Sequence, residues 1–401
     1  MQSTPKSNRL QIGIFGRRNV GKSSLMNALT SQYVSIVSDV AGTTTDPVEK
    51  PMELPPLGPV LFIDTAGVDD EGSLGGQRIA RTRKILERVD LGIIVAEGKN
   101  WNKYEDDLLK ELQNRQIPTV VAFNKSDLSQ PSENLQAYLK QQNIPFINTI
   151  ATDGFGVLDL HKILIDTTPA DYFNSIGIIG DLVKPGEMAV LVVPIDQEAP
   201  KGRLILPQVQ TIRDLLDNNA GCIVIKENEL TSVLNNLKQP PAIVVTDSQA
   251  FLKVAAETPA DVPLTSFSIL FARYKGDLAE YIAGTRTIDK LKPGDEILIA
   301  EACTHHPITD DIGRVKIPRW LNQYVGGKLN FTYYQGHDFP EDLSQYKLVI
   351  QCGSCMLNRR EVLSRIWYCK QAGVPVTNYG LTIAYTLGIF ERATALFNIE
   401  T

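Results

Sequence analysis

Short apolar runs alternate with segments of helical periodicity along most of this chain. Leu10–Gly16 (LQIGIFG) reads as a strand. A glycine-rich loop follows, then a helix over Lys22–Thr30. Val60–Gly67, Asp90–Ala96 and Pro118–Phe123 are further apolar runs ending in polar residues, and Gly156–Thr168 is a helix closing the series. Strand–helix alternation at this spacing predicts a mainly parallel sheet with helices on both faces. Thr167–Gly180, with a proline and scattered Gly and Ser, marks a boundary.

A second, smaller α/β region follows the same pattern. Its predicted strands are Met188–Ile195, Gly221–Lys226 and Ala242–Asp247, and its helices Pro207–Asn219 and Leu230–Leu237. It carries no nucleotide or metal motif, which suits a spacer or a dimer interface. In a third region the strands Asp295–Cys303 and Tyr346–Cys352 each end in a cysteine, and Val374–Gly380 is a third strand. Helices are expected over Pro318–Gly327, Arg360–Gly373 and, as one continuous element, Leu381–Phe397. The expected architecture is α/β with three domains, at 1–170, 178–265 and 266–401.

Composition adds bounds. In 401 residues, a hydrophobic share of 43% beside 21% charged is that of globular domains with their own cores. The net charge of -6 argues against a nucleic-acid partner. The N-terminus shows no secretory leader and no apolar run approaches a membrane span, so a cytoplasmic protein without a membrane partner is expected. Five cysteines, an odd number in a long chain, predict reduced thiols available to metal rather than a disulfide framework.

Three motifs in the first region carry nucleotide chemistry. Residues Gly16-Arg17-Arg18-Asn19-Val20-Gly21-Lys22-Ser23 fit G-x-x-x-x-G-K-S, after a strand and before a helix. Backbone amides there turn in around phosphate oxygens, Lys22 reaches the β- and γ-phosphates, and Ser23 holds Mg²⁺, with Ser24 next in the helix. Asp64-Thr-Ala-Gly67 follows a strand. Its carboxylate can reach Mg²⁺ through water, and Gly67 lets the backbone approach a γ-phosphate. Asn124-Lys125-Ser-Asp127 chooses the base. Guanine offers N1–H and N2–H₂ side by side to the Asp127 carboxylate, whereas adenine lacks that pair. The nucleotide is therefore GTP, with GDP as product.

This set resembles the Era/TrmE-type branch of the small GTPases. Gly42-Thr-Thr-Thr-Asp46 is similar to that branch's first switch, which implies Thr44, or its neighbour Thr43, as the Mg²⁺-sensing residue. Thr149-Ile-Ala151 is similar to its base-contacting loop, implying that the Ala151 N–H meets guanine O6, although Ile150 stands where the branch usually has Ser. The catalytic assignments fall on Lys22, Thr44 and Gly67. Val68 follows Gly67 where a glutamine would orient water, so slow intrinsic hydrolysis is expected. Asn19 occupies the position at which TrmE-like GTPases bind K⁺, which implies K⁺-stimulated turnover.

Cys303-Thr-His305 and Cys352-Gly-Ser-Cys355 end two predicted strands. In a parallel sheet the carboxyl ends of strands share one edge, so these thiols can converge. Thiolates select soft metals. On residue chemistry alone a Cys₃His zinc site, an iron–sulfur cluster and a redox dithiol remain open. A TrmE-like GTPase joined to such a C-terminal region resembles the FeFe-hydrogenase maturation GTPases of the HydF family over the whole chain. The resemblance implies a GTPase domain, a dimerisation domain and a domain whose Cys303, Cys352 and Cys355 hold a 4Fe–4S cluster. The family motif often reads H-C-x-x-C, and Gln351 stands at the histidine's place, leaving His305, water or a carboxylate as fourth ligand. A homodimer, radical-SAM maturases that supply a diiron precursor, and an apo FeFe-hydrogenase that receives it are the implied partners. Cys222, Cys369, Trp320 and Trp367 are expected to pack in cores, His161 at a surface or in packing, and His337 in a solvated loop.

Overall fold

A computed structural model describes residues 4–31, 48–65, 84–169, 172, 177–194, 204–302 and 311–399. They form two compact units, Met1–Asn174 and Ser175–Thr401.

In the first unit the order is β1 (Leu10–Phe15), α1 (Lys22–Ser31), β2 (Val48–Leu54), β3 (Gly58–Asp64), β4 (Leu91–Ala96), α2 (Lys103–Asn114), β5 (Thr119–Phe123), α3 (Glu133–Gln141), β6 (Phe146–Asn148) and α4 (Val157–Thr167). The sheet runs β2-β3-β1-β4-β5-β6, with every pair parallel except β2–β3. Strands β1, β4 and β5 are buried along their whole length, as strands covered on both faces must be. Their side chains alternate between two cores. Ile12, Ile14, Ile93 and Val120 face Leu25 of α1 and Leu160 of α4. Phe15, Ile94 and Val121 face Leu109 of α2 and Leu139 of α3. The antiparallel strand β2 has no counterpart in the apolar pattern, because its residues are VEKPMEL. Its Pro51 is tolerated because β2 lies at the sheet edge, where a missing N–H costs no ladder bond.

The second unit holds two sheets, both wholly parallel. The first comprises β7 (Met188–Val192), β8 (Gly221–Ile225), β9 (Ile243–Thr246) and β10 (Leu264–Ser266) in the order β10-β9-β7-β8, with helices α5 (Leu206–Asp217), α6 (Leu230–Asn236) and α7 (Phe251–Glu257). Two helices follow, α8 (Phe267–Lys275) and α9 (Leu278–Thr285). Then come β11 (Glu296–Glu301), α10 (Ile317–Val325), β12 (Asn330–Gln335), β13 (Leu348–Gln351), α11 (Arg359–Gln371), β14 (Val376–Asn378), α12 (Tyr379–Thr386) and α13 (Phe390–Thr394). This sheet runs β12-β11-β13-β14.

Helix α8 belongs to both cores. Phe267, Leu270 and Phe271 pack with Leu191 and Val245 of the first of these sheets. Ile269 and Ala272 join a core that runs on to Leu298, Val349, Ile366 and Leu381 of the second. The continuous helix expected over Leu381–Phe397 is in fact two, α12 and α13. The break follows from Gly388, whose φ of 74° lies in the left-handed region that closes helices. Cys369 is buried as expected and Cys222 packs at the rim of a core. Trp367 is not a core residue, being 55% exposed with its ring against Tyr368.

Candidate functional site

The loop between β1 and α1 is set by backbone geometry. Gly16 and Gly21 have φ of 141° and 93°, and Asn19 lies between them at 63°. A Cβ on Gly16 would come within 2.2 Å of the Val95 carbonyl oxygen, and one on Gly21 within 2.2 Å of Asn124 Nδ2. Only glycine permits this turn and this approach. Lys22 begins α1, is buried, and donates to the carbonyls of Gly16 and, at 2.7 Å, Arg17. Its ammonium thus lies under the loop at a helix N-terminus, where phosphate oxygens are favoured. Arg17 is drawn aside. It pairs with Glu105 at 2.7 Å, bonds Asn102 and stacks over the Tyr104 ring. Asn102 and Glu105 form the capping box of α2, so the helix start also anchors the loop. That N-x-x-E spacing is legible in the sequence, and it is the signal by which Glu105 can be found.

Ser23 Oγ donates to Asp64 Oδ2 at 2.7 Å, joining the first motif to the end of β3. A hydroxyl and a carboxylate in contact beside a lysine make a hard-oxygen donor set of the kind Mg²⁺–phosphate takes. Thr65 Oγ1 donates to the Ile14 carbonyl at 2.8 Å and ties the same strand end to β1. Thr44 and Gly67, with the switch segments around them, lie outside the described residues.

The base-reading motif follows β5. Asn124 Nδ2 donates to the Val20 carbonyl at 2.8 Å, and its Oδ1 accepts the Ala151 N–H at 3.0 Å. The Ala151 amide that the resemblance gives to guanine O6 is thus engaged within the motif. Lys125, at φ 56°, reaches the Asn19 carbonyl at 2.5 Å and Glu97 at 2.7 Å. The Lys125 hydrogen bond holds the Glu97 carboxyl below its ordinary range. Asp127 stands exposed at the end of this framework. Arg18, Asn19, Ser23 and Ser24 are exposed and Val20 is buried.

In the second unit, the parallel order brings the carboxyl ends of β12, β11, β13 and β14 to one edge. Cys352 follows β13 and Ala302 follows β11. The Ala302 N–H donates to Cys352 Sγ at 3.0 Å, so the two cysteine-bearing strand ends meet there. The Ser354 N–H reaches the same sulfur at 3.4 Å, with Ser354 at φ 51°. Burial raises the affinity of the Cys352 thiol for its proton, against the lowering effect of these two amides. Burial also raises that of Cys355, the neighbouring Cys352 raises it further, and Lys275 opposes both. Cys303 and His305 lie outside the described residues, and among the described residues no group of three His, Cys, Asp or Glu is placed to hold a metal. The two thiols at this edge are the soft donors that zinc or an iron–sulfur centre takes. Gln351, at the family's histidine position, is fully buried and accepts from Tyr281 OH at 3.2 Å.

Sequence reading missed two further features of this edge. His337 leans on Glu361 at 3.0 Å, and Arg365 holds the same carboxylate at 3.2 Å. Lys275, at the end of α8, is buried behind the Cys352–Cys355 loop and donates to the carbonyls of Ser354 and Cys355 at 3.2 Å and of Leu357 at 2.6 Å. No local motif announces either.

Family comparisons divide the chain in the same order as its sheets. Residues 11–125 match the 50S ribosome-binding GTPase family. Residues 178–276 match the hydrogen maturase F dimerization domain and 279–396 its tetramerization domain, and these two together span more than half of the chain. The chain belongs to the hydrogen maturase F type of GTPase. Curated relatives align with the first part alone. The tRNA modification GTPase MnmE of Prochlorococcus marinus is 39% identical over 161 residues, covering 39% of this chain and 34% of its own. GTPase Der of Wolinella succinogenes is 46% identical over 123 residues, covering 30% and 26%. The chain thus spans about a third of the length of these relatives or less. Among solved structures, the G domain of the Thermotoga maritima FeoB iron transporter aligns at 24% identity with a TM-score of 0.32, covering 40% of this chain and 98% of its own. The two C-terminal matches are named for dimerization and for tetramerization, which supports an oligomer. No described helix is long and apolar enough to cross a membrane.

Proposed function

We propose that this protein is a GTP-hydrolysing scaffold of FeFe-hydrogenase maturation. In this reading it binds a 4Fe–4S cluster and hands a diiron precursor, received from radical-SAM maturases, to apo-hydrogenase. One observation carries it: a guanine-reading phosphate loop and a Cys-x-x-Cys loop at a parallel sheet edge lie on one chain whose C-terminal part matches hydrogen maturase F domains. The roles fall to three parts in the cytoplasm: a GTPase part over 1–170, a dimerisation part from 178 that runs to the end of its family match at 276 and so includes α8, and a cluster part beyond it.

In the GTPase part, Lys22 neutralises phosphate charge, Ser23 and Thr44 hold Mg²⁺, Asp64 orders its water, and the Gly67 amide meets the γ-phosphate. Asn124 and Lys125 brace the loop from beneath while Asp127 reads guanine. With no glutamine after Gly67 to orient water, turnover is slow, and K⁺ at Asn19 supplies charge to the transition state. In the C-terminal part, Cys303, Cys352 and Cys355 bind the cluster, which supplies an iron site with an exchangeable ligand. With Gln351 at the place of the family's histidine, the fourth ligand is His305, water or a carboxylate.

Separation of the two chemistries tests this. Cys303→Ser, Cys352→Ser or Cys355→Ser should lose iron and hydrogenase maturation while keeping GTP turnover, and Lys22→Ala should lose turnover and keep iron. Cysteine variants that retain full iron content overturn the reading. An RNA-binding role, in ribosome assembly or tRNA modification, for which the name of the MnmE relative speaks, rests on the GTPase part alone. It predicts RNA binding and a colourless protein.

A further inference from the structure

Lys275 spends its ammonium on a single object. All three of its described acceptors, the carbonyls of Ser354, Cys355 and Leu357, lie in or just after the Cys352–Cys355 loop. The clasp is reciprocal. Arg359, the first residue of α11, donates to the Tyr274 carbonyl at 2.6 Å and the Gly276 carbonyl at 3.2 Å. The end of α8 thus grips the thiol loop, and the residue after that loop grips the end of α8. Lys275 is 2% exposed. An ammonium is costly to bury, and three backbone hydrogen bonds offset only part of that cost. An apolar residue would fill the same space at lower cost, so the charge calls for a reason. The loop needs help as well, since Ser354 sits at φ 51°, which a non-glycine residue adopts only when its surroundings impose it. Lys275 also lies inside the segment that matches the dimerization domain, whereas the thiols lie in the tetramerization segment.

We propose that Lys275 is the positioning residue of the thiol loop: the last helix of the dimerisation segment holds Cys352 and Cys355 in the geometry that binds a soft metal and gives the bound centre a fixed positive neighbour. This rests on the reading of the pair as a metal site. It assigns the dimerisation segment a part in setting the affinity and the reduction potential of a centre held by the next domain. Three thiolates leave a cluster net negative, and reduction adds to that charge, so a nearby ammonium favours the reduced form.

The test uses the full chain, metal-free and anaerobic, titrated with Cd²⁺ and followed by thiolate-to-cadmium absorbance. A Cys352→Ser, Cys355→Ser double variant identifies the site. Lys275→Met should weaken cadmium binding tenfold or more. Arg359→Gln, on the exposed side of the same clasp, should weaken it several-fold, with circular dichroism unchanged. After iron and sulfide reconstitution, a redox titration should place the Lys275→Met centre at a more negative potential than wild type, a change that a purely structural role does not require. Wild-type affinity and potential in Lys275→Met overturn the inference while leaving the metal site standing. If that variant does not fold, wild-type values in Arg359→Gln overturn it. A wild-type protein that takes up no cadmium at the pair overturns the metal-site reading itself, and this inference with it.

Discussion

Asn124 Nδ2 donates to the Val20 carbonyl at 2.8 Å, so the first residue of the base-reading motif is a strut under the phosphate loop. Its Oδ1 accepts the Ala151 N–H, so one carboxamide ties together three segments of the nucleotide site. Asn124→Ala removes both bonds. At roughly 1 kcal/mol each, guanine-nucleotide affinity should fall by about thirty-fold, while the sheet beneath stays folded. Titration of a fluorescent GDP analogue checks this, and unchanged affinity would contradict the strut.

Asp127 chooses the base by accepting two donors. Asp127→Asn replaces one acceptor with a donor and should reverse the preference. GTP binding should drop at least tenfold, and xanthosine triphosphate, which carries a carbonyl at position 2, should bind better to the variant than to wild type. A variant that still prefers GTP to the xanthine nucleotide would mean that the base is read elsewhere.

These features were legible because they are local. The phosphate loop and the Asn124–Asp127 motif each occupy a few consecutive residues bounded by an apolar strand, and the spacing fixes the chemistry. The meeting of the β11 and β13 ends was legible too, since parallel strands share a carboxyl edge. Lys275 was not legible. It reaches Cys355 across 80 residues, and in sequence it is one more lysine at a helix end. Strand β2 was hidden because an edge strand with one solvated face need not be apolar, and the break at Gly388 was hidden because the apolar periodicity runs straight through it. The family resemblance supplied the cluster and its traffic, which side-chain spacing does not contain.

Asn19 holds φ 63° within the phosphate loop, and its carbonyl is pinned by Lys125. If K⁺ binds at its side chain, GTP turnover in KCl should exceed that in NaCl at equal ionic strength, and Asn19→Ala should lose the difference while keeping its NaCl rate. Equal wild-type rates in the two salts would remove K⁺ from the mechanism.

His161 on α4 is buried, and burial lowers its affinity for a proton. As pH falls through the ordinary value of 6.5, the unfolded chain takes up a proton that the folded one resists. The stability of the GTPase unit should therefore be full above that pH and decline below it. His161→Leu should flatten the acid side of a plot of melting temperature against pH. An identical slope in the variant would assign the acid loss to other groups.

The sharpest single measurement is the absorption and EPR spectrum of the protein reconstituted anaerobically with iron and sulfide. We expect a brown protein with broad thiolate-to-iron absorption, and after reduction an S = 1/2 signal that disappears when Cys352 and Cys355 are replaced by serine. A colourless protein carrying stoichiometric zinc at the same cysteines would contradict the assignment.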